Sequence, residues 1–103
     1  MDITVNEHAD PMSITIKGSI EIRDVDYNDV KKRLFDLCKN NDKDIEIDLS
    51  EVEYIDSSGI GLLTSIVKLQ NKKEKGFCIT KASLNILNVI QLSSLSELLG
   101  VDS

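Results

Sequence analysis

A chain of 103 residues has room for one hydrophobic core and not for two, so residues 1–103 are read as a single domain. Its net charge of −6 argues against nucleic acid as a partner. Apolar residues come in short blocks, none approaching the roughly 20 consecutive positions that a membrane span requires, so direct insertion into a bilayer is not expected.

The first segment, Met1-Asp2-Ile3-Thr4-Val5-Asn6-Glu7, alternates apolar and polar residues and carries no basic cluster followed by an apolar run. That pattern is not a signal peptide, and a cytoplasmic protein is expected. Strand alternation in Ile3-Thr4-Val5 returns in Met12-Ser13-Ile14-Thr15-Ile16-Lys17-Gly18, with Asp10-Pro11 between as a turn signal, which predicts a hairpin. From Val25 to about Asn40 the period becomes helical through Tyr27, Val30, Leu34, Leu37 and Cys38. The polar stretch Asn40 to Asp44 ends that helix, and Ile45-Glu46-Ile47-Asp48-Leu49 alternates as a strand.

A second helix is expected from Ser57 to about Lys73, closed by lysines that suit the negative end of its dipole and stopped by Gly76. Phe77-Cys78-Ile79-Thr80 reads as a strand. Ser83 is placed to cap a third helix bearing Leu84, Leu87 and Ile90, and Ser93 or Ser94 to start a short last one through Leu98 and Leu99. The order β-β-α-β-α-β-α plus a short C-terminal helix predicts an α/β fold with a four-stranded mixed sheet and right-handed crossovers.

Little here supports cofactor or metal chemistry. Cys38 and Cys78 stand apart beside apolar residues, without C-x-x-C spacing, and are read as buried free thiols; His8 is the sole histidine. The basic runs Lys31-Lys32-Arg33 and Lys72-Lys73-Glu74-Lys75 read as solvated helix faces.

The distinctive stretch is Ile55-Asp56-Ser57-Ser58-Gly59-Ile60-Gly61, where a strand hands over to a helix. One Asp or Ser is expected there as a cap. Two serines followed by two glycines exceed that need, since a glycine inside a helix costs about 1 kcal/mol. At about 100° per residue, Gly59, Leu62, Leu63, Ile66, Leu69 and Gln70 share the face that packs on the sheet. Gly59 then permits close approach of helix and strand. Ser57 lies nearly opposite, with Thr64 and Lys68; Ser58 falls at the edge; Ile60 turns away from the core and, with Gly61, forms an uncharged spot around Ser57 suited to a protein contact.

The run Ile47-Asp48-Leu49-Ser50-Glu51-Val52-Glu53-Tyr54-Ile55-Asp56-Ser57-Ser58-Gly59-Ile60-Gly61 resembles the signature of STAS domains, specifically bacterial anti-sigma factor antagonists. Gly18-Ser19-Ile20-Glu21 falls at that family's Gly-x-Leu-Asp turn after its second strand, with Glu21 in place of Asp, and Ser83 and Ser93 fall at its helix starts. Ser94 replaces a frequent glycine. The resemblance implies partner switching: the unphosphorylated protein binds an anti-sigma factor that is also a serine kinase, phosphorylation at Ser57 releases it, and a serine phosphatase restores binding. So small a protein is expected to be a monomer when free, and the partner-binding surface is read as Asp56, Ser57, Ser58, Ile60, Gly61 and Thr64, which the resemblance extends by the rim residues Glu21, Arg23 and Asp24. A second reading keeps the same helix as a docking element without phosphorylation, in a stress-signalling scaffold or a membrane transporter assembly.

An enzyme is not expected. The nucleophile-elbow pattern G-x-S-x-G fails because Ile55 stands where a glycine must precede Ser57, and His8 lies far off in the first hairpin. Neither G-x-G-x-x-G nor G-x-x-x-x-G-K-[ST] is present to hold a nucleotide.

Overall fold

The computed structural model describes residues 1–92, with the side chains of residues 91 and 92 excepted. The expected C-terminal helix from Ser93 or Ser94 lies outside the described residues. Seven elements follow one another: β1 (Asp2–Asn6), β2 (Met12–Ile20), α1 (Tyr27–Asn40), β3 (Ile45–Ile55), α2 (Ser57–Lys72), β4 (Phe77–Ala82) and α3 (Leu84–Leu92). The strands form one sheet in the order β1-β2-β3-β4, antiparallel in the first pair and parallel in the other two. The α/β fold with a four-stranded mixed sheet is therefore as expected.

Register sorts the side chains of the sheet into two faces. Val5, Ile14, Ile47 and Ile79 align across all four strands, and Met12, Ile45 and Phe77 across three. These rows meet Val30, Leu34 and Cys38 of α1, Leu62, Leu63, Ile66 and Val67 of α2, and Ile86 and Ile90 of α3 in one core. The intervening row Thr4, Thr15, Asp48 and Lys81 is polar and at least partly exposed. One face carries the helices and the other meets solvent, as the alternation of an antiparallel or mixed sheet allows.

Several boundaries differ from expectation for identifiable reasons. β3 continues six residues beyond Leu49 to Ile55. Its buried residues after Leu49 are Val52 and Ile55, three apart, which hides the strand from a reading based on alternation. The matching irregularity in β2 is a register shift at Gly18/Ser19, and Gly18 has φ +93 inside the strand, not in a turn after it. α1 begins at Tyr27, two residues later than Val25, because Glu21 to Asp26 fold into consecutive turns.

At the far end of α2, Glu74 takes the left-handed conformation, with φ 61, that was expected of Gly76. Gly76 instead opens β4: its N–H donates to Asp44 Oδ1 at 2.8 Å and its carbonyl accepts from Ile45 N at 3.0 Å. Gln70 is fully buried, as its place on the packed face requires, and its Nε2 donates to the carbonyls of Lys43 and Gly76, both at 3.0 Å. The amide thereby ties the starts of two parallel strands to the end of α2.

Three side-chain expectations are corrected. Cys78 is exposed, because it occupies the open face in register with Glu46; Cys38 is buried, and burial pushes its thiol up to about 11. In α3 the core positions are Ile86 and Ile90, one turn apart, whereas Leu84 is 73% exposed and Leu87 half-buried. In α2, Val67 joins the core and Leu69 is only half-buried.

The tightest approach in the fold is at Gly59. A Cβ there would lie 2.4 Å from the carbonyl oxygen of Ile20 and 2.6 Å from Ile55 Cγ1, whereas one at Gly61 would meet nothing within 4 Å. Gly59→Ala is therefore expected to destabilise the protein by about 1–3 kcal/mol through overpacking, despite alanine's higher helix propensity. Gly61→Ala should instead gain up to about 1 kcal/mol. Urea midpoints of the two variants will show whether two glycines in one turn respond with opposite sign.

Candidate functional site at the start of helix α2

The parallel strands β2 and β3 end side by side, Ile20 paired with Ile55, and α2 starts immediately beyond. Asp56 organises this junction. Its backbone N–H donates to Ile20 O at 3.2 Å, which extends the strand pairing by one residue. Its Oδ1 accepts from Gly59 N at 2.8 Å, the cap bond of α2. Its Oδ2 accepts from Ile22 N at 3.2 Å, which holds the loop after β2 beside the first turn of α2.

That loop has its own internal scaffold. Asp24 N donates to Glu21 O and Tyr27 N to Asp24 O, both at 3.1 Å. The Asp24 carboxylate accepts from Asp26 N at 2.8 Å and from the Met1 amine at 2.7 Å. The amine bond, then the Asp26 amide, hold the Asp24 carboxyl below its ordinary range, and the same contact raises the amine. Asp24, a sequence-predicted contact residue, thus spends its carboxylate shaping the loop. Arg23 is exposed and Glu21 half-buried.

A second tie runs from α1 to α2: Tyr27 Oη donates to Ser58 O at 3.0 Å. Burial, and then the charge of Asp56, push the Tyr27 phenol upward, so it remains a donor at neutral pH. Ser58 is half-buried, as its edge position predicted. Ser57 is exposed, and its hydroxyl makes no hydrogen bond among the described residues. Gly61 is exposed beside it; Thr64 is half-buried and returns its Oγ1 proton to Ile60 O at 2.8 Å. Asp56, Ser57, Ser58, Gly61 and Thr64 are thus gathered along the start of one helix, with Glu21, Arg23 and Asp24 on the adjoining loop.

Ile60 departs from expectation. It is half-buried and packs against the core, because Val67, about two turns farther on, widens the apolar face of α2 toward it. Exposed apolar residues outside α3 lie elsewhere among the described residues: Ile22 is 56% exposed, Val25 93% and Tyr54 52%. None of these was singled out from sequence, although two apolar residues in the otherwise polar loop Glu21 to Asp26 are a legible signal.

Among the described residues no base is hydrogen-bonded to the Ser57 hydroxyl. His8 sits in the loop before β2, at the opposite end of the parallel strands. Among the described residues no three His, Cys, Asp or Glu side chains come together in a way that could hold a metal ion, and no helix is long and apolar enough to cross a membrane.

Comparison with known proteins identifies the family. The family model described as "Mlab, STAS domain" matches residues 3–100. The chain belongs to the STAS domain family. Among curated relatives of this STAS domain, the anti-sigma-B factor antagonist of Staphylococcus epidermidis is 24% identical over 102 residues, covering 99% of this chain and 93% of the relative. The protein of the same name from Staphylococcus aureus is 25% identical over 89 residues, covering 86% and 81%. The fold is that of the anti-sigma factor antagonist SpoIIAA in its unphosphorylated form, with TM-score 0.70 at 14% identity over 89% of this chain and 84% of that one. An anti-sigma factor antagonist from Mycobacterium paratuberculosis superposes with TM-score 0.79 at 21% identity, covering 93% and 80%.

The double duty of Asp56 has a measurable signature. Asp56→Ala is expected to lose about 1–2 kcal/mol and to accelerate hydrogen exchange at two amides, Gly59 and Ile22, which lie in different elements. Loss of protection at Gly59 alone would show that the bond to Ile22 does not form in solution.

Proposed function

We propose that this STAS domain is an anti-sigma factor antagonist that works by partner switching: a cytoplasmic binding protein, monomeric when free, and not an enzyme. In this reading an anti-sigma factor with serine kinase activity docks on the start of α2 and phosphorylates Ser57, and a serine phosphatase reverses the modification. The observation that carries the proposal is the exposed, unpartnered hydroxyl of Ser57 at the first position of α2, beside a loop that holds Ile22 and Val25 out to solvent. The names of the staphylococcal relatives supply the class of partner.

The physics of the switch follows from the site. Phosphate adds about −1.5 to −2 charges and three acceptor oxygens. The amides of Ser57 and Ser58, at the positive end of the α2 dipole, have no partner among the described residues and suit that anion. Modification is therefore tolerated by the fold. A partner surface fitted to a neutral hydroxyl and the apolar side chains of Ile22 and Val25 instead meets a hydrated dianion, whose desolvation is costly.

Incubation with ATP and the kinase-like proteins of the same genome is expected to place phosphate on Ser57, read by mass spectrometry. Ser57→Asp should abolish binding to that kinase while Ser57→Ala retains it. Unchanged binding by Ser57→Asp would refute the switch.

The apolar contribution has a separate test. Ile22→Glu is expected to weaken partner binding tenfold or more, about 1.4 kcal/mol, with an unchanged melting temperature. Ile60→Glu should lower both affinity and melting temperature, because Ile60 is partly built into the core.

A further inference from the structure

The helical layer carries a second surface, chemically unlike the first. Farther along the same two helices, a groove of about 330 Å³ runs between α1 and α2, lined by Phe35 and Lys39 from one and Ser65, Lys68, Leu69 and Lys72 from the other. Its floor is apolar, since Phe35 and Leu69 are both half-buried against the core. Its walls are cationic, with Lys39, Lys68 and Lys72 exposed; just outside the lining, Lys31 lies over the Phe35 ring at 5.7 Å from the centroid. Among the described residues the ion pairs are Met1 with Asp24 and Lys17 with Glu51, so none of these four lysines has a carboxylate partner. The acids of α1 are turned elsewhere, Asp29 and Asp36 lining the cleft on its other flank with Lys32 and Arg33.

A concentration of unpaired positive charge is unexpected in a chain of net charge −6. Solvated lysines on a single helix would be ordinary, but here they rim an apolar floor from two helices at once. Lysines rimming an apolar floor match a ligand with apolar anchors flanked by carboxylates. A bilayer fits less well: it is flat where the surface is concave, none of the exposed large apolar side chains among the described residues lies in the groove, and anionic lipid would repel the molecule as a whole.

We propose that the α1–α2 groove is a docking site for an acidic amphipathic segment of a protein partner, with apolar side chains seated between Phe35 and Leu69 and carboxylates paired with Lys39, Lys68 and Lys72. The groove lies about 16 Å along α2 from Ser57, by 1.5 Å of rise per residue. That separation exceeds the Debye length of about 8 Å at physiological ionic strength. Its occupant therefore binds in both phosphorylation states of Ser57.

The test uses the full chain and a synthetic helical peptide of about four turns, with leucines at i, i+3, i+4 and i+7 and glutamates flanking them. Amide shifts on titration are expected to centre on Phe35, Lys39, Ser65, Lys68 and Leu69, to weaken with salt, and to be equal in the wild type and Ser57→Asp. A Lys39→Glu/Lys68→Glu/Lys72→Glu variant, checked for folding by circular dichroism, should bind at least tenfold more weakly. A glutamate peptide of equal charge with serines for the leucines should do likewise. Equal binding by that peptide, undiminished binding by the triple variant, or shifts mapping elsewhere would each overturn the proposal. So would selective association with phosphatidylglycerol vesicles through these lysines, which would assign the groove to a membrane, or a dimer dissolved by the triple substitution, which would assign it to a second copy.

Discussion

The molecule depends on the contact between one missing side chain and one backbone oxygen. Gly59 lets the first turn of α2 descend until it nearly touches the Ile20 carbonyl, a separation at which no Cβ fits. Because Ile20 ends one parallel strand and Ile55 ends its neighbour, this contact sets the height of α2 over the sheet. It also places Ser57, two residues earlier, beyond the strand ends and in solvent. Exposure of the hydroxyl is thus the other side of burial at the glycine. Neither is adjustable alone, since both follow from the same helical phase.

The helical layer then divides into two regions with different chemistry. At the start of α2 acidic and uncharged groups stand with Arg23 and Lys31, the apolar side chains belong to a loop, and backbone amides are available for an anion. Toward its end the surroundings are cationic and the apolar groups lie in a cleft between helices. A single amphipathic helix can serve both because only its buried stripe is committed to the core. The bare face of the sheet, with its polar rows, contributes to neither.

The order of elements was legible from periodicity because most segments keep one period throughout. β3 shows where that signal stops: its first half alternates strictly, its second half buries every third residue, and a bulged register reconciles the two. No local pattern announces such a change, which depends on the pairing partner. The helix stop at Glu74 is a similar case. An L-residue in the left-handed region is uncommon, so glycine was the natural expectation, but Gly76 is already engaged by Asp44 and Gln70 at the head of β4. The wheel of α2 placed Ser57 outside and Gly59 inside correctly. It misplaced Ile60 because the apolar stripe is wider than the residues used to define it. The loop from Glu21 to Asp26 was least legible, since its shape rests on long-range bonds from Asp56 and the Met1 amine to residues with no periodicity of their own.

The carboxylate of Asp56 has a consequence for what can replace it. Each oxygen receives an N–H from a different part of the chain, so the position requires two acceptors pointing in two directions. Asparagine has nearly the same shape and caps helices equally well in general. Its amide, however, offers one oxygen and one NH2 group, and at this junction the NH2 would confront another donor whichever way it turned. A substitution conservative by size is therefore unsuited by valence. Identity at this position is set by the count of lone pairs, a constraint stricter than helix capping alone would impose.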